Sequence, residues 1–505
     1  MANPSSASTI WSSVGLPEEY LRHLKLTGNT EEAVNSSFRI GEAAQTTIGL
    51  SALSAAYFHQ LRTGEEQDVS VDARHAVLEF NGHKYYTVNG EPYGRDFDPL
   101  MGLYKTKGNG YVRLHTNFPH HRRGLLQILG IEFTPEVTKE QVQNVLLQWD
   151  ALEFEKVAGE KGMCAFAMRS FEEWDATPQA KALRGVPPVY IRKIADAPKR
   201  RVPNNAKDPF KHPLEGMRVL DLSRVLAGPV AGRTLAAHGA DVLLVTSPNL
   251  PALPMLDADT SRGKRTVRLD LTTTEGAEKL KGLAGDADVF LQAYRPGALK
   301  NKGFGVEEVA RMKGDREHGI VCADLCAWGW EGPWKDRRGF DSLVQTASGL
   351  NVAEAEAYAQ FTGARESSSS PKPFPVQALD YSAGYLLAFG INAALCKTIT
   401  DGGSWEVNVS LAAVGQWLRS LGRTDPKNAF GRGLPLPNDT TAEEIQTLSV
   451  NWRGGRDLTE DVRALKHPAV LSKTPVRQGR EGEPGAPIVL DAHEPNWRSF
   501  TSEHL

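Results

Sequence analysis

From Met217 to Trp328 the chain alternates short apolar runs with amphipathic ones, and this alternation constrains the fold more than any other feature. MRVLDLS, ADVLLVTS, TVRLDL, DVFLQAY and GIVCADLCAWG read as strands, while AGRTLAAHG, TEGAEKLKGLAGDA and GVEEVARMK read as helices. Apolar strands separated by such helices predict an α/β fold with a parallel sheet covered on both faces. In such a sheet a ligand sits beyond the carboxyl ends of the strands, beside helix N-termini that attract phosphate. The first strand–loop–helix, VLDLSRVLAGPVAGRTL, has no G-x-G-x-x-G, and the second strand ends in Thr246, Ser247 and Pro248 where a ribose-binding acid is expected. Both features disfavour a nicotinamide or flavin cofactor, and Walker-type phosphate loops are absent too. Arg262, Lys264, Arg265, Arg295, Lys300 and Lys302 lie near strand ends. Each alone reads as a solvated surface charge; as a set they suit a ligand with several phosphates, such as coenzyme A.

At 505 residues the chain is too long for one core, so two or three domains are expected. The basic, proline-marked run APKRRVPNNAKDPFKHP (197–213) reads as a linker. The expected division is an N-terminal helical partial repeat (1–80), a small α/β domain (81–205), a Rossmann-like domain (206–425) and an extended C-terminal wrap (426–505). The polar stretch 354–373, with SSSS at 367–370, reads as a surface loop. A net charge of −3 gives no electrostatic reason for a nucleic-acid or membrane partner. Cys164, Cys322, Cys326 and Cys396 are few for the length, and Cys322-x3-Cys326 reads as buried thiols in a strand, so no metal site is expected. MANPSSASTIWSS lacks the pattern of a secretory signal, and no run of 18 apolar residues predicts a membrane span, so a cytoplasmic location is expected.

The segment PVQALDYSAGYLLAFGINAALC (375–396) places one carboxylate, Asp380, at the mouth of an uncharged helix containing Gly384 and Gly390. By local sequence Asp380 is either a helix cap or a group that does chemistry. Residues 42–76 align without gaps over 380–414, pairing Ala55, Ala56, Gly64, Val69 and Val71 with Ala393, Ala394, Gly402, Val407 and Val409. This partial repeat sets Glu42 opposite Asp380.

Five ordered stretches, EGMRVLDLSRVLAGPVAGRTLAAHGADVLLV, RGKRTVRLDL, AYRPGALKNKGFG, CAWGWEGPWKDRRGFDSLVQTASGL and QALDYSAGYLLAFGINAAL, resemble the family III CoA-transferases. The N-terminal part resembles pieces of the same family out of order: GEAAQTTIGLSALSAAYFHQLRTGEEQDVSVDARHA its aspartate-bearing unit, MGLYKTKGNGYVRLHTNF and FEEWDATPQAKALRG its small domain. The chain thus resembles a duplicated unit with parts lost from each copy.

The resemblance implies a Rossmann-like large domain with a smaller α/β domain, no permanently bound cofactor, and acyl-CoA and a carboxylic acid as substrates; family members form interlocked homodimers, which this rearranged chain either shares or imitates within one polypeptide. It maps the nucleophile onto Asp380, and CoA contacts onto Leu226, Ala227, Leu269, Asp270, Leu271, Ala293, Tyr294, Arg295 and Arg338. A carboxylate there attacks a thioester and passes through anhydride and aspartyl-CoA intermediates. The helix N-terminus is expected to keep it ionised, and the free N–H groups to steady oxyanions. Gly384 is expected to let the thioester arm or a neighbouring backbone approach. Thr246-Ser247-Pro248 lacks the charges often found after the second strand, and the family's glycine loop has no counterpart in 81–110. Two alternatives stand beside transfer. The related racemases use a histidine just before Asp341, where this chain has Phe340; a non-catalytic CoA-binding protein would keep the pocket alone. Glu42 is a candidate for a second site.

Overall fold

The computed structural model describes residues 5–94, 97–202, 210–312, 314, 316–364 and 370–498. Its largest sheet has seven strands in the spatial order 265–268, 241–246, 218–222, 289–292, 321–326, 404–410 and 190–195. The first six are mutually parallel, and Tyr190–Ala195 closes one edge antiparallel to Ser404–Ser410. Arg218–Leu222 is central: two strands are laid outward on one side before the chain crosses to Val289–Gln292 on the other. That reversal is the topological switch point of a doubly wound fold, beyond whose strand ends ligands bind. The strands are covered on both faces, which is why Asp241–Thr246 is buried along its whole length.

Ala378–Thr400 is long and apolar enough to cross a membrane by length and composition. Here it is a core helix, apolar all round because it is enclosed all round. It packs against Ile40–Thr63, Ala227–Ala237 and the sheet. Its glycines serve these approaches. A Cβ on Gly384 would lie 2.6 Å from the Ala227 carbonyl oxygen, and one on Gly390 would lie 2.5 Å from Val407 Cγ1. At Gly384 the neighbour is therefore the backbone of the Ala227–Ala237 helix.

The internal repeat is present in three dimensions. Ile40–Thr63 leads to the strand Val69–Asp72 and a helix capped by Asp72; Ala378–Thr400 leads to Ser404–Ser410 and a helix capped by Ser410. Glu42 and Asp380 are each the third residue of their helix. The helices lie side by side, with Asn392 Nδ2 donating to the Ser51 carbonyl at 3.0 Å.

The structure redraws the expected boundaries. The compact small unit has a core running from Leu100 to Ala165 around an antiparallel sheet of Gly102–Lys105, Tyr111–Leu114 and Ala165–Ala167. The chain joins the large sheet at Tyr190, before the basic linker rather than after it, because the exposed edge of Ser404–Ser410 needs a hydrogen-bonding partner. Residues 203–209 of that linker lie outside the described residues. The tail is more than an extended wrap: Ser449–Gly454 and Glu460–Leu465 form a sheet with Tyr86–Val88, and Ala469–Leu471 pairs with Val69–Asp72. Of the stretch read as a polar loop, 354–362 belongs to the helix Leu350–Thr362, where Glu354 is buried and accepts from Ser37 N at 3.0 Å. Residues 365–369 lie outside the described residues.

Candidate functional site

Two loops meet at the switch point: Ser223–Ala227 after the central strand and Ala293–Arg295 after its neighbour. Their approach is close, since a Cβ on Gly228 would stand 2.5 Å from Ser223 Cβ and 2.8 Å from Ala293 Cβ. Val225 has φ +73°, a left-handed conformation that a β-branched residue adopts only under constraint. The constraint comes from below. Asp221 accepts from Ser223 Oγ at 2.5 Å and from Lys264 Nζ at 2.8 Å, and Lys264 also donates to the Pro229 carbonyl at 2.8 Å. Both partners of this ion pair are completely buried.

Above the loops lies a cavity of about 290 Å³. Leu226, Ala227, Ala293, Tyr294, Arg295, Arg338 and Asp380 all line it. Leu269, Asp270 and Leu271 do not line it. Leu269 is in the core beneath the sheet's far edge, Leu271 packs against that core, and Asp270 accepts from Thr272 N at 2.9 Å. The basic set divides in the same way. Arg262 pairs with Asp259, Lys264 with Asp221 and Arg265 with Asp241, all buried, so these three hold the fold together. Arg295 remains in the cavity, where Arg224, Lys335 and Arg337 join it.

Sequence reasoning missed the roof. Phe118, His120 and His121 come down from the small unit. Arg338 Nη1 donates to the Gly162 carbonyl at 2.6 Å, and Arg337 lies 4.2 Å over the Phe166 ring, tying the rim to that unit. Burial, reinforced by His120, presses His121 down to about 2, so its ring is neutral. The run HHRR (120–123) was the available signal, as dense basic character without acidic neighbours at helical spacing.

Asp380 is 9% exposed and stands where this cavity meets a second, smaller one. It does not cap its helix. The carboxylate doing so is Asp341, whose Oδ2 accepts from Leu379 N at 2.7 Å and from Asp380 N at 2.9 Å. The N–H groups expected to steady oxyanions are therefore occupied, and the helix end stabilises Asp341 in place of Asp380. Gln345 Nε2 adds a third hydrogen bond to Asp341. Among the described residues no hydrogen bond reaches the Asp380 carboxyl. Burial, and then the neighbouring Asp341 charge, hold Asp380 well above the usual carboxylate range. Burial also raises Asp341, to about 6, against the hydrogen bonds it accepts. With three donors, Asp341 is the member of the pair that keeps its charge.

Phe340, at the position where a racemase histidine is expected, stacks face to face on His115 with ring centroids 3.7 Å apart. Glu42, the counterpart of Asp380, accepts from Ser6 Oγ at 2.9 Å and pairs with Arg39 at 3.4 Å. The four cysteines are buried free thiols. Among the described residues no group of three or more His, Cys, Asp or Glu is arranged to hold a metal ion.

Residues 214–428 match the model of CoA-transferase family III. The chain is 28% identical to an acetyl-coenzyme A transferase of Hypoxylon pulicicidum over 81% of this chain and 73% of that one. It is 32% identical to a probable fatty acyl-CoA transferase of Mycobacterium tuberculosis, covering 41% of this chain and 52% of the relative. It is 30% identical to a succinate–glutarate CoA-transferase of Agrobacterium fabrum, covering 40% and 52%. The chain thus spans about half the length of the latter two. A solved structure from M. tuberculosis is 32% identical over 42% of this chain and 58% of that one, with a TM-score of 0.34. The matched segment begins just ahead of the central strand and runs past the Asp380 helix, so the similarity to CoA-transferase family III covers both switch-point loops and Asp380.

Proposed function

We propose that this chain transfers CoA from an acyl-CoA to a carboxylic acid, with Asp380 as the nucleophile. The observation that carries the reading is a carboxyl free of protein hydrogen bonds at the base of a switch-point cavity rimmed by arginines. CoA enters with its phosphates toward Arg224, Arg295 and Arg338 and its thioester toward Asp380. A carboxylate deprived of water and set beside another acid is a stronger base, and so a stronger nucleophile, than one in solution.

Once ionised, which its raised titration confines to higher pH, Asp380 attacks the thioester carbonyl; the C–S bond breaks, leaving an acyl-aspartyl anhydride and CoA thiolate. The thiolate attacks the aspartyl carbonyl, releasing the donor acid as its carboxylate and leaving an aspartyl-CoA thioester. The acceptor carboxylate attacks that thioester and frees the thiolate again. Attack of the thiolate on the acceptor's carbonyl then gives the new acyl-CoA and restores the Asp380 carboxylate. The enclosed site protects the anhydrides from water.

Incubation with a panel of acyl-CoA esters, quenched with hydroxylamine and mapped by mass spectrometry, tests the reading. A hydroxamate on Asp380 is the expected result; CoA binding without modification of Asp380 under any donor would reject it. The carboxylate pair adds a second expectation. In Asp341→Asn the charge that raises Asp380 is gone while an oxygen remains to cap the helix. The acid limb of the kcat/KM–pH profile should move to lower pH, and an unmoved limb would show that Asp341 does not set the titration of Asp380. A cytoplasmic location, expected from the sequence, is part of this proposal, and light scattering on the purified chain decides between a homodimer and a monomer.

A further inference from the structure

The smaller cavity beyond Asp380 contains a cation that neither the fold nor the transfer chemistry uses. Arg113 lies on the strand Tyr111–Leu114, whose alternate residues Val112 and Leu114 enter the small unit's core, so Arg113 faces the opposite way. It lines the same cavity as Asp380, Asp341 and His115. Among the described residues its guanidinium makes no hydrogen bond or ion pair, and its Nε is buried without a partner. Burial lowers its affinity for the proton, to about 10, and the charge of Asp341 opposes that shift. Asp341 is therefore close enough to be felt, but it spends its oxygens on the helix N–H groups and Gln345. His115 carries no competing charge, because burial, and then Arg113 itself, press it down to about 3.

The remaining walls are largely apolar: Phe97, Met101, Leu253 and Leu256. An unpaired guanidinium at the end of an apolar cavity is costly unless a ligand supplies its counter-charge. Resting on the transfer reading above, we propose that Arg113 is a specificity-determining residue that binds the second carboxylate of a dicarboxylic substrate. The first carboxylate is then the one that exchanges CoA at Asp380. The fork of the guanidinium matches a carboxylate in two parallel hydrogen bonds. The space is about 40 Å³ without ligand, room for a small group only, so the diacid is a short one.

The test compares succinate and glutarate with butyrate and valerate, the monoacids of equal chain length, as acceptors for the wild type, Arg113→Met and Arg113→Lys. Wild type should prefer diacids, and Arg113→Met should lower the diacid-to-monoacid ratio of kcat/KM by about 10- to 100-fold. Arg113→Lys, which keeps the charge and loses the fork, should recover part of the ratio. Loss of packing alone would lower both substrate classes together and leave the ratio unmoved. A wild type indifferent to the second carboxylate, or a ratio unchanged in Arg113→Met, would overturn the proposal. Calorimetric titration of succinate and butyrate into the same three proteins separates the two readings. Arg113-dependent succinate binding with no label on Asp380 would reject the transfer reading and keep the carboxylate subsite. A label on Asp380 with equal binding of both acids would do the reverse.

Discussion

Asp380→Asn should lose about 10⁴-fold or more in CoA transfer, the order of effect seen when a nucleophile is removed from machinery that acts as a unit. The same variant should fold normally and, at neutral and alkaline pH, melt higher than the wild type. The two expectations share one cause. The Asp380 carboxyl has no hydrogen bond to lose, and in the folded chain it is raised well above its ordinary value of 3.8 by burial and by Asp341. A carboxyl with a raised folded pKa binds its proton more tightly in the native state, so its stabilising contribution is present below 3.8. That contribution is lost as pH rises through the folded value. An amide does not titrate. The melting difference should therefore open as pH climbs above the acid range and close toward pH about 4. Mass spectrometry of the hydroxylamine-trapped variant should find no hydroxamate at position 380. A variant that transfers CoA within tenfold of wild type removes Asp380 as nucleophile; one that is inactive and less stable at every pH makes it a structural residue.

Arg233→Met carries the largest expected loss of stability. Its guanidinium pairs with Asp259 at 2.6 Å and with Glu79, and it is buried with both partners. Arg262 reaches Asp259 at 2.8 Å, and the Tyr385 hydroxyl donates to Glu79 at 3.0 Å. One cluster therefore joins the N-terminal unit, the helices Ala227–Ala237 and Pro254–Thr260 and the Asp380 helix, while Arg262 also donates to the Leu465 carbonyl of the tail. Burial opposes the charge on Arg233, but Asp259 and then Glu79 overcome it and raise the group above its ordinary value. Removing the cation leaves buried carboxylates uncompensated, which costs about 3–5 kcal/mol. Thermal or urea denaturation measures the loss. Burial already holds Glu79 above its usual range, so it takes a proton readily once Arg233 is gone. The penalty should thus shrink as pH falls, and Arg233→Met combined with Glu79→Gln should recover part of it. A loss under about 1 kcal/mol at pH 8 would mean that the cluster sets the arrangement of the segments without adding to stability.

Much of this molecule is legible locally. The parallel sheet follows from strands that are apolar on both faces, such as Asp241–Thr246, because only a sheet covered by helices on both sides buries such segments. The repeat was readable from one gapless alignment, and it set Glu42 and Asp380 at the same helical position. Leu226, Ala227, Ala293, Tyr294 and Arg295 meet at one cavity because sheet topology brings the two switch-point loops together whatever their side chains do.

What the chain alone could not decide is which charges are used up. Arg262, Lys264 and Arg265 look like Arg295 in sequence, yet each is spent on a buried carboxylate, and only distances across strands reveal that. Asp341 and Asp380 are separated by 38 intervening residues and touch only after folding, which transfers the helix cap to one and leaves the other bare. The same holds for Phe118, His120, His121 and Arg113. They belong to a segment with its own core, and they reach the site only because that unit closes over the sheet. Local sequence determines which surfaces must be buried, through periodicity and side-chain polarity. The pairing of charges and the making of a cavity depend on distances between remote segments, and those exist only in the tertiary structure.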